Sequence, residues 1–155
     1  MDQVEFFKKQ IKLEKEIVEA AHKAVKDLKN KMVKELIEGI ASDSTKHASL
    51  LSSLVATHEG SNPLIDEKVT EQLKANLEEH IRLEQHAIDT YKELWKTLSH
   101  ENEKLIIKYI LNDEIRHHTL LKRIHKMVVE KETLTEQDLW DLTWKDSISH
   151  GSPGG

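Results

Sequence analysis

The residues with the clearest chemistry are three glutamates and two histidines that interrupt apolar patterns. Four segments of the chain carry seams of apolar residues spaced alternately four and three apart, as in helices that share a core. Members of these apolar seams include Val33, Ile40, Leu54, Leu77, Trp95 and Ile124. Near the middle of these patterns stand polar residues instead: Glu14, His47, Glu84, Glu114 and His117. An unpaired carboxylate in an apolar core is strongly unfavourable. Five such residues at one level of one core therefore require a common partner.

A metal ion is the partner that the sequence favours, because its charge offsets carboxylates and it accepts imidazole nitrogen as a ligand. Glu114-Ile-Arg-His117 places a carboxylate and an imidazole one turn apart on one helix face. In dimetal bundles two helices each give one Glu, and the other two each give Glu-x-x-His. The second segment offers Ser44-Thr-Lys-His47 and so lacks its Glu. His80, one turn before Glu84, is a candidate for the missing ligand.

The elements that would position these residues are helical. The chain has only five Gly and two Pro in 155 residues, and 33% of its residues are charged, which is typical of an all-α protein. We predict four helices, over residues 3–28, 31–57, 70–98 and 99–129. Ser99 is predicted as the N-cap of the fourth helix, and Asp66 is an alternative start of the third. Residues 131–148 are predicted as a short helical extension carrying Trp140 and Trp144, and 149–155 as a flexible tail.

The two halves of this helical region resemble each other at an offset of 70 residues. Ile11-Lys-Leu-Glu14 aligns with Ile81-Arg-Leu-Glu84, and Asp43, His47 and Leu50 align with Asp113, His117 and Leu120. This indicates a duplicated helical hairpin. If the hairpins surround one site symmetrically, residues 60–65 must cross over along the length of the bundle.

With these motifs the chain resembles the ferritin-like superfamily, and within it the rubrerythrin-like di-iron carboxylate proteins. The resemblance implies one ferritin-like four-helix bundle over residues 1–130 that holds a dimetal centre, expected to be di-iron, with manganese or zinc as alternatives. Asp113 and Asp43 match outer-shell groups that would orient His47 and His117, respectively. Ser44 departs from the family, which has a Glu there.

The function that the resemblance implies is an oxidoreductase, a rubrerythrin-like peroxidase or a ferroxidase, whose partners are dioxygen, peroxide or ferrous iron. The chain contains no cysteine and hence no rubredoxin domain, so electrons would come from a separate donor. Two alternatives stay open: a metal-binding or storage module without turnover, and a scaffold that has lost the metal. Tyr91, two turns after Glu84, is either a redox neighbour of the site or a core aromatic.

Charge and hydropathy argue against two other classes of partner, nucleic acids and membranes. The net charge is −5 and no block of basic residues stands alone, which argues against nucleic acid. No apolar run approaches the roughly 20 residues of a membrane span, and the start of the chain lacks a signal peptide, so we expect a cytoplasmic protein. Homo-oligomerisation is left open. His118 is expected not to be a ligand, and the remaining histidines are expected at the surface: His22, His58, His86, His100, His125 and His150.

Overall fold

The computed structural model describes residues 2–61 and 67–130, and every regular element in them is an α-helix. The four helices are α1 (Gln3–Val25), α2 (Lys31–His58), α3 (Glu67–Thr97) and α4 (Glu101–Glu130). The all-α prediction is confirmed. The predicted fifth helix, with Trp140 and Trp144, and the predicted tail lie outside the described residues, as does most of the predicted crossover.

Two helix ends differ from the prediction. Helix α1 stops at Val25 rather than at residue 28. The Leu28 amide donates to the carbonyl of Val25, only three residues earlier, at 3.1 Å, so the chain here forms a tighter turn than an α-helix. Helix α4 begins at Glu101, so Ser99 is not its N-cap. The Lys104 amide donates to the carbonyl of His100 at 3.0 Å, which places His100 at the cap position.

A side-chain cap and a glycine set the two ends of α2. Asn30 caps α2 by accepting from the Val33 amide at 3.1 Å. Helix α2 ends where Gly60 adopts φ 70°, a left-handed conformation that favours glycine. The Ser61 amide then reaches the Ala56 carbonyl at 2.9 Å, and the Gly60 amide reaches Thr57 at 3.1 Å. This pair of bonds fixes the end of the helix.

The helices pack in sequential pairs, α1 with α2 and α3 with α4. The chain divides into two compact units, Met1–Leu64 and Ile65–Gly155. We refer to their described parts, residues 2–61 and 67–130, as the first and second hairpins. Helices α2 and α4 begin 70 residues apart, at Lys31 and Glu101, which is the offset of the sequence repeat.

The core of each hairpin is narrow. The buried apolar residues are Ala21, Val25 and Ala41 in the first hairpin and Leu77 and Ile88 in the second. Several residues of the predicted apolar seams are instead exposed, among them Val33, Leu54, Trp95 and, at 54% exposure, Ile40. The reason is geometric: two paired helices share one line of contact, so they cover only part of a wide apolar stripe. Among the described helices, none has a stretch apolar and long enough to cross a membrane.

Candidate metal centre

The second hairpin brings three of the predicted ligands together. Glu84 on α3 faces Glu114 and His117 on α4, and one ligand atom from each lies within 4.8 Å of the others. His117 Nδ1 is 3.8 Å from Glu84 Oε1 and 3.7 Å from Glu114 Oε2. The Glu side chains are largely covered, at 11% and 22% exposure, whereas the His ring is half-exposed. The site is therefore a carboxylate pair with an imidazole at its solvent side.

The electrostatics of this group are unfavourable without a cation. Glu84 Oε2 is buried and has no hydrogen-bond partner among the described residues. The neighbouring Glu84 carboxyl raises the pKa of Glu114 above its usual value, because it forms a hydrogen bond with the protonated form of Glu114. Burial and the negative charge of Glu84 raise this pKa further, whereas His117 lowers it in part. Two carboxyl groups so placed bind either a proton or a cation.

His80 extends this group along α3. Its Nε2 lies 3.1 Å from Glu84 Oε1, one turn away on the same helix. Sequence reasoning raised His80 as a substitute ligand, and the structure places it against a candidate ligand. Its side chain is more than half exposed, so the ordinary reading is a surface partner that orients Glu84.

The first hairpin holds a smaller version of the same arrangement. His47 Nδ1 on α2 lies 3.4 Å from Glu14 Oε1 on α1. As with Glu84, the second oxygen of Glu14 is buried without a hydrogen-bond partner in the described part of the chain. Ser44, at the position equivalent to Glu114, is the buried polar residue of α2. The first hairpin thus contributes a Glu–His pair where the second contributes two Glu and one His.

The outer residues are held by their own helices. Asp43 pairs with Lys46 at 2.9 Å, and Asp113 pairs with Arg116, each one turn along the same helix. Their implied roles toward His117 and His47 stay predictions. Tyr91 is half-buried on α3, and its two roles stay predictions.

Sequence reasoning missed a polar contact between α3 and α4. His125, expected at the surface, is half-buried, and its Nε2 lies 3.1 Å from Glu78 Oε1. A signal was present, because each residue directly follows a residue of its apolar seam, Ile124 or Leu77. The first hairpin has its own pair of this kind, His22 with Glu38 at 3.4 Å.

The donor set of the second hairpin fits a metal ion after a small movement. Carboxylate oxygen and imidazole nitrogen bind first-row metals at about 2.0–2.2 Å, so two ligands of one ion lie at most about 4.4 Å apart. The present 4.8 Å spread needs only a slight closure of these three side chains. Three protein ligands would leave further coordination positions for water or a substrate.

Comparison with known proteins gives no independent assignment. No protein-family model, curated protein or solved structure matches the chain. The resemblance to rubrerythrin-like proteins therefore stays a prediction from the residues themselves.

Proposed function

We propose that the protein binds a transition-metal ion through Glu84, Glu114 and His117. The observation that carries the proposal is the convergence of these side chains within 4.8 Å, together with a buried Glu84 oxygen that has no partner among the described residues. A cation would satisfy that oxygen and would remove the repulsion between the two carboxyl groups. Exposed acidic clusters often bind nothing, but these two carboxylates are largely covered.

Iron is the metal we favour, with manganese and zinc as alternatives. Carboxylate and imidazole are hard to borderline ligands that suit these three ions, and the absence of cysteine disfavours softer metals. The half-exposed His117 leaves a path for an ion to enter.

The activity we propose is that of a ferritin-like oxidoreductase, in which bound iron supplies redox chemistry toward dioxygen, peroxide or ferrous iron. The protein's part is to hold the ion with Glu84, Glu114 and His117, and to orient Glu84 through His80. Electrons would come from a separate donor, because no cysteine is present to hold a second redox centre of the rubredoxin type. The ferritin-like bundle itself, with Glu14 and His47 joining the centre, is part of this proposal.

A metal-binding protein without turnover is the second candidate, and Ser44 is the observation that favours it. A symmetric dimetal centre needs four carboxylates, and the buried Ser44 stands where the fourth would be. With one carboxylate missing, a single ion is expected to be held more firmly than a pair. Storage or sequestration of metal requires only that an ion is held, without turnover.

The test separates binding from turnover. Ferrous iron is added anaerobically to the metal-free protein, unbound iron is removed, and the iron retained per chain is measured before oxygen or peroxide is admitted. The oxidoreductase proposal predicts retained iron and its oxidation faster than in buffer, with both lost in Glu84→Gln. Retained iron without faster oxidation supports the second candidate. The matched control is Glu79→Gln, since Glu79 is an exposed α3 carboxylate paired with Arg82; equal iron in both variants would refute the site.

A further inference from the structure

The contact between His80 and Glu84 on α3 has the dimensions of two ligands that share one metal ion. His80 Nε2 is 3.1 Å from Glu84 Oε1. Adjacent ligand atoms of one ion, each bound at about 2.1 Å, lie about 3.0–3.4 Å apart in octahedral or tetrahedral geometry. His80 and Glu84 therefore already have this separation, whereas His117 Nδ1, at 3.8 Å from the same oxygen, must close slightly.

The spacing of these residues along their helices fits the same purpose. Side chains four residues apart lie on one face of a helix, which is how a single helix supplies two ligands to one zinc ion. Helix α3 offers His80 and Glu84 at that spacing, and α4 offers Glu114 and His117 three residues apart. Both imidazoles contact Glu84 Oε1, so an ion at this oxygen is within reach of both rings. Each helix of the second hairpin can thus supply two ligands.

The internal repeat supports this set of four residues independently. The residues 70 positions before His80, Glu84, Glu114 and His117 are Gln10, Glu14, Ser44 and His47, respectively. The first hairpin thus keeps one Glu and one His, and it has an amide and a hydroxyl, which are weaker ligands for transition metals, at the other two positions. The two differences fall at the positions of His80 and Glu114. This is expected if these two residues serve one ion in the second hairpin.

We propose that His80 is the fourth protein ligand of the metal ion, so that the second hairpin alone holds one ion with two Glu and two His side chains. The proposal rests on the proposed function and specifies its ligand set. In the metal-free protein the His80 ring contacts Glu84 and orients it. When an ion binds, His80 Nε2 coordinates the ion and the ring carries its proton on Nδ1. An octahedral ion such as manganese keeps further positions for water or a substrate.

Two substitutions of His80 separate a ligand from a residue that only orients Glu84. His80→Gln keeps an N–H donor for the Glu84 carboxylate but is a poor ligand, and Gln10 is the equivalent residue of the first hairpin. His80→Glu keeps a ligand but cannot donate to a carboxylate. The dissociation constant for Zn²⁺ is measured by calorimetric titration of the metal-free protein. We expect it to rise at least about tenfold in His80→Gln, and to rise less in His80→Glu.

The control for the added charge is Asn76→Glu, because Asn76 is an exposed residue of α3 one turn before His80. Its dissociation constant should stay close to that of the wild type. If the dissociation constant rises more in His80→Glu than in His80→Gln, His80 only orients Glu84 and the proposal is overturned. Wild-type affinity in both variants overturns it as well. In either case a loss of binding in Glu84→Gln would still support the three-residue site.

Nitrogen-15 NMR of the histidine rings tests the coordination itself. With an equimolar amount of Zn²⁺, the Nε2 signal of His80 and a ring nitrogen signal of His117 should both move to the position of a metal-bound nitrogen. His80→Gln and His117→Gln assign the two signals, and the signals of His86, exposed on α3, should not move. A response of His117 without one of His80 overturns this proposal and leaves the proposed function standing. If neither ring responds, both are wrong.

Discussion

His117 Nδ1 lies 3.8 Å from Glu84 Oε1 on the neighbouring helix of its hairpin. Seventy residues earlier, His47 Nδ1 lies 3.4 Å from Glu14 Oε1 in the same arrangement. In each pair the second carboxylate oxygen is buried without a hydrogen-bond partner in the described residues. The repeat thus extends from sequence to the geometry of its polar residues, which is the strongest reason to treat them as one functional feature.

Replacing Glu114 by Gln should stabilise the metal-free protein at neutral pH. The pKa of Glu114 is raised in the folded state, so below the unfolded value of 4.5 the group is protonated in both states and has no effect on stability. As the pH rises, Glu114 ionises in the unfolded chain before it ionises in the folded protein, so the free energy of unfolding falls until the pH passes the pKa of Glu114 in the folded state. Glu114→Gln removes this loss of stability.

Urea unfolding with EDTA at pH 4 and pH 7 measures this effect. The free energy of unfolding of Glu114→Gln should exceed that of the wild type at pH 7, and the difference should shrink at pH 4. Glu79→Gln is the control: it should lower the free energy of unfolding at pH 7 rather than raise it, because the hydrogen bond from Arg82 lowers the pKa of Glu79. A destabilised Glu114→Gln at pH 7 would contradict the repulsion between Glu84 and Glu114.

Metal should stabilise the wild-type protein and not its site variants. An ion at 100 times its dissociation constant adds about 2.7 kcal/mol to the free energy of unfolding. For a chain of this size that raises the Tm by about 5–10 °C. We expect this shift with Mn²⁺ or Zn²⁺ for the wild type and Glu79→Gln, and less than about 2 °C for Glu84→Gln. Equal shifts in all three proteins would show that the ions bind elsewhere.

Ser44→Glu should restore the carboxylate that the first hairpin lacks. Ser44 is 5% exposed and lies one turn before His47, so the new carboxylate would be largely buried on the helix that faces Glu14. The variant should be less stable than the wild type in EDTA and should gain more stability from metal. Titration followed by metal analysis should show more metal bound per chain; an unchanged stoichiometry would mean that the first hairpin takes no part in binding.

Gly60→Ala should lower stability without affecting the metal site. Gly60 has φ 70°, which costs an L-residue about 1–2 kcal/mol, and a Cβ there would meet no atom of the described residues within 4 Å. Backbone strain is therefore the penalty we expect. We expect the Tm to fall by about 2–8 °C and metal binding per folded chain to be unchanged. The variant serves as a control for loss of metal caused by instability alone.

Most of the helical framework could be predicted from the sequence, because apolar periodicity and capping residues act locally. The start of α2 after Asn30 is one such case. Helix ends set by competing caps could not be predicted, as His100 in place of Ser99 shows. The exposure of Ile40 was also missed, because periodicity shows which side of a helix is apolar but not which partner covers it.

For the candidate site, the repeat and the Glu-x-x-His spacing predicted the residues that the structure brings together within each hairpin. They did not predict the contact of His125 with Glu78, since it joins two helices and depends on the rotamers of both side chains. The metal, its number and its reaction stay predictions, because the same carboxylates and imidazoles bind iron, manganese and zinc.

The most direct test is anomalous scattering at the metal absorption edge from a crystal of the protein loaded with manganous or ferrous ion. The account predicts a peak within about 2.0–2.4 Å of a carboxylate oxygen of Glu84, a carboxylate oxygen of Glu114 and a ring nitrogen of His117. A crystal of Glu84→Gln treated in the same way should lack that peak. If the wild-type crystal shows no peak, or a peak bound by other side chains, the proposed metal centre is wrong.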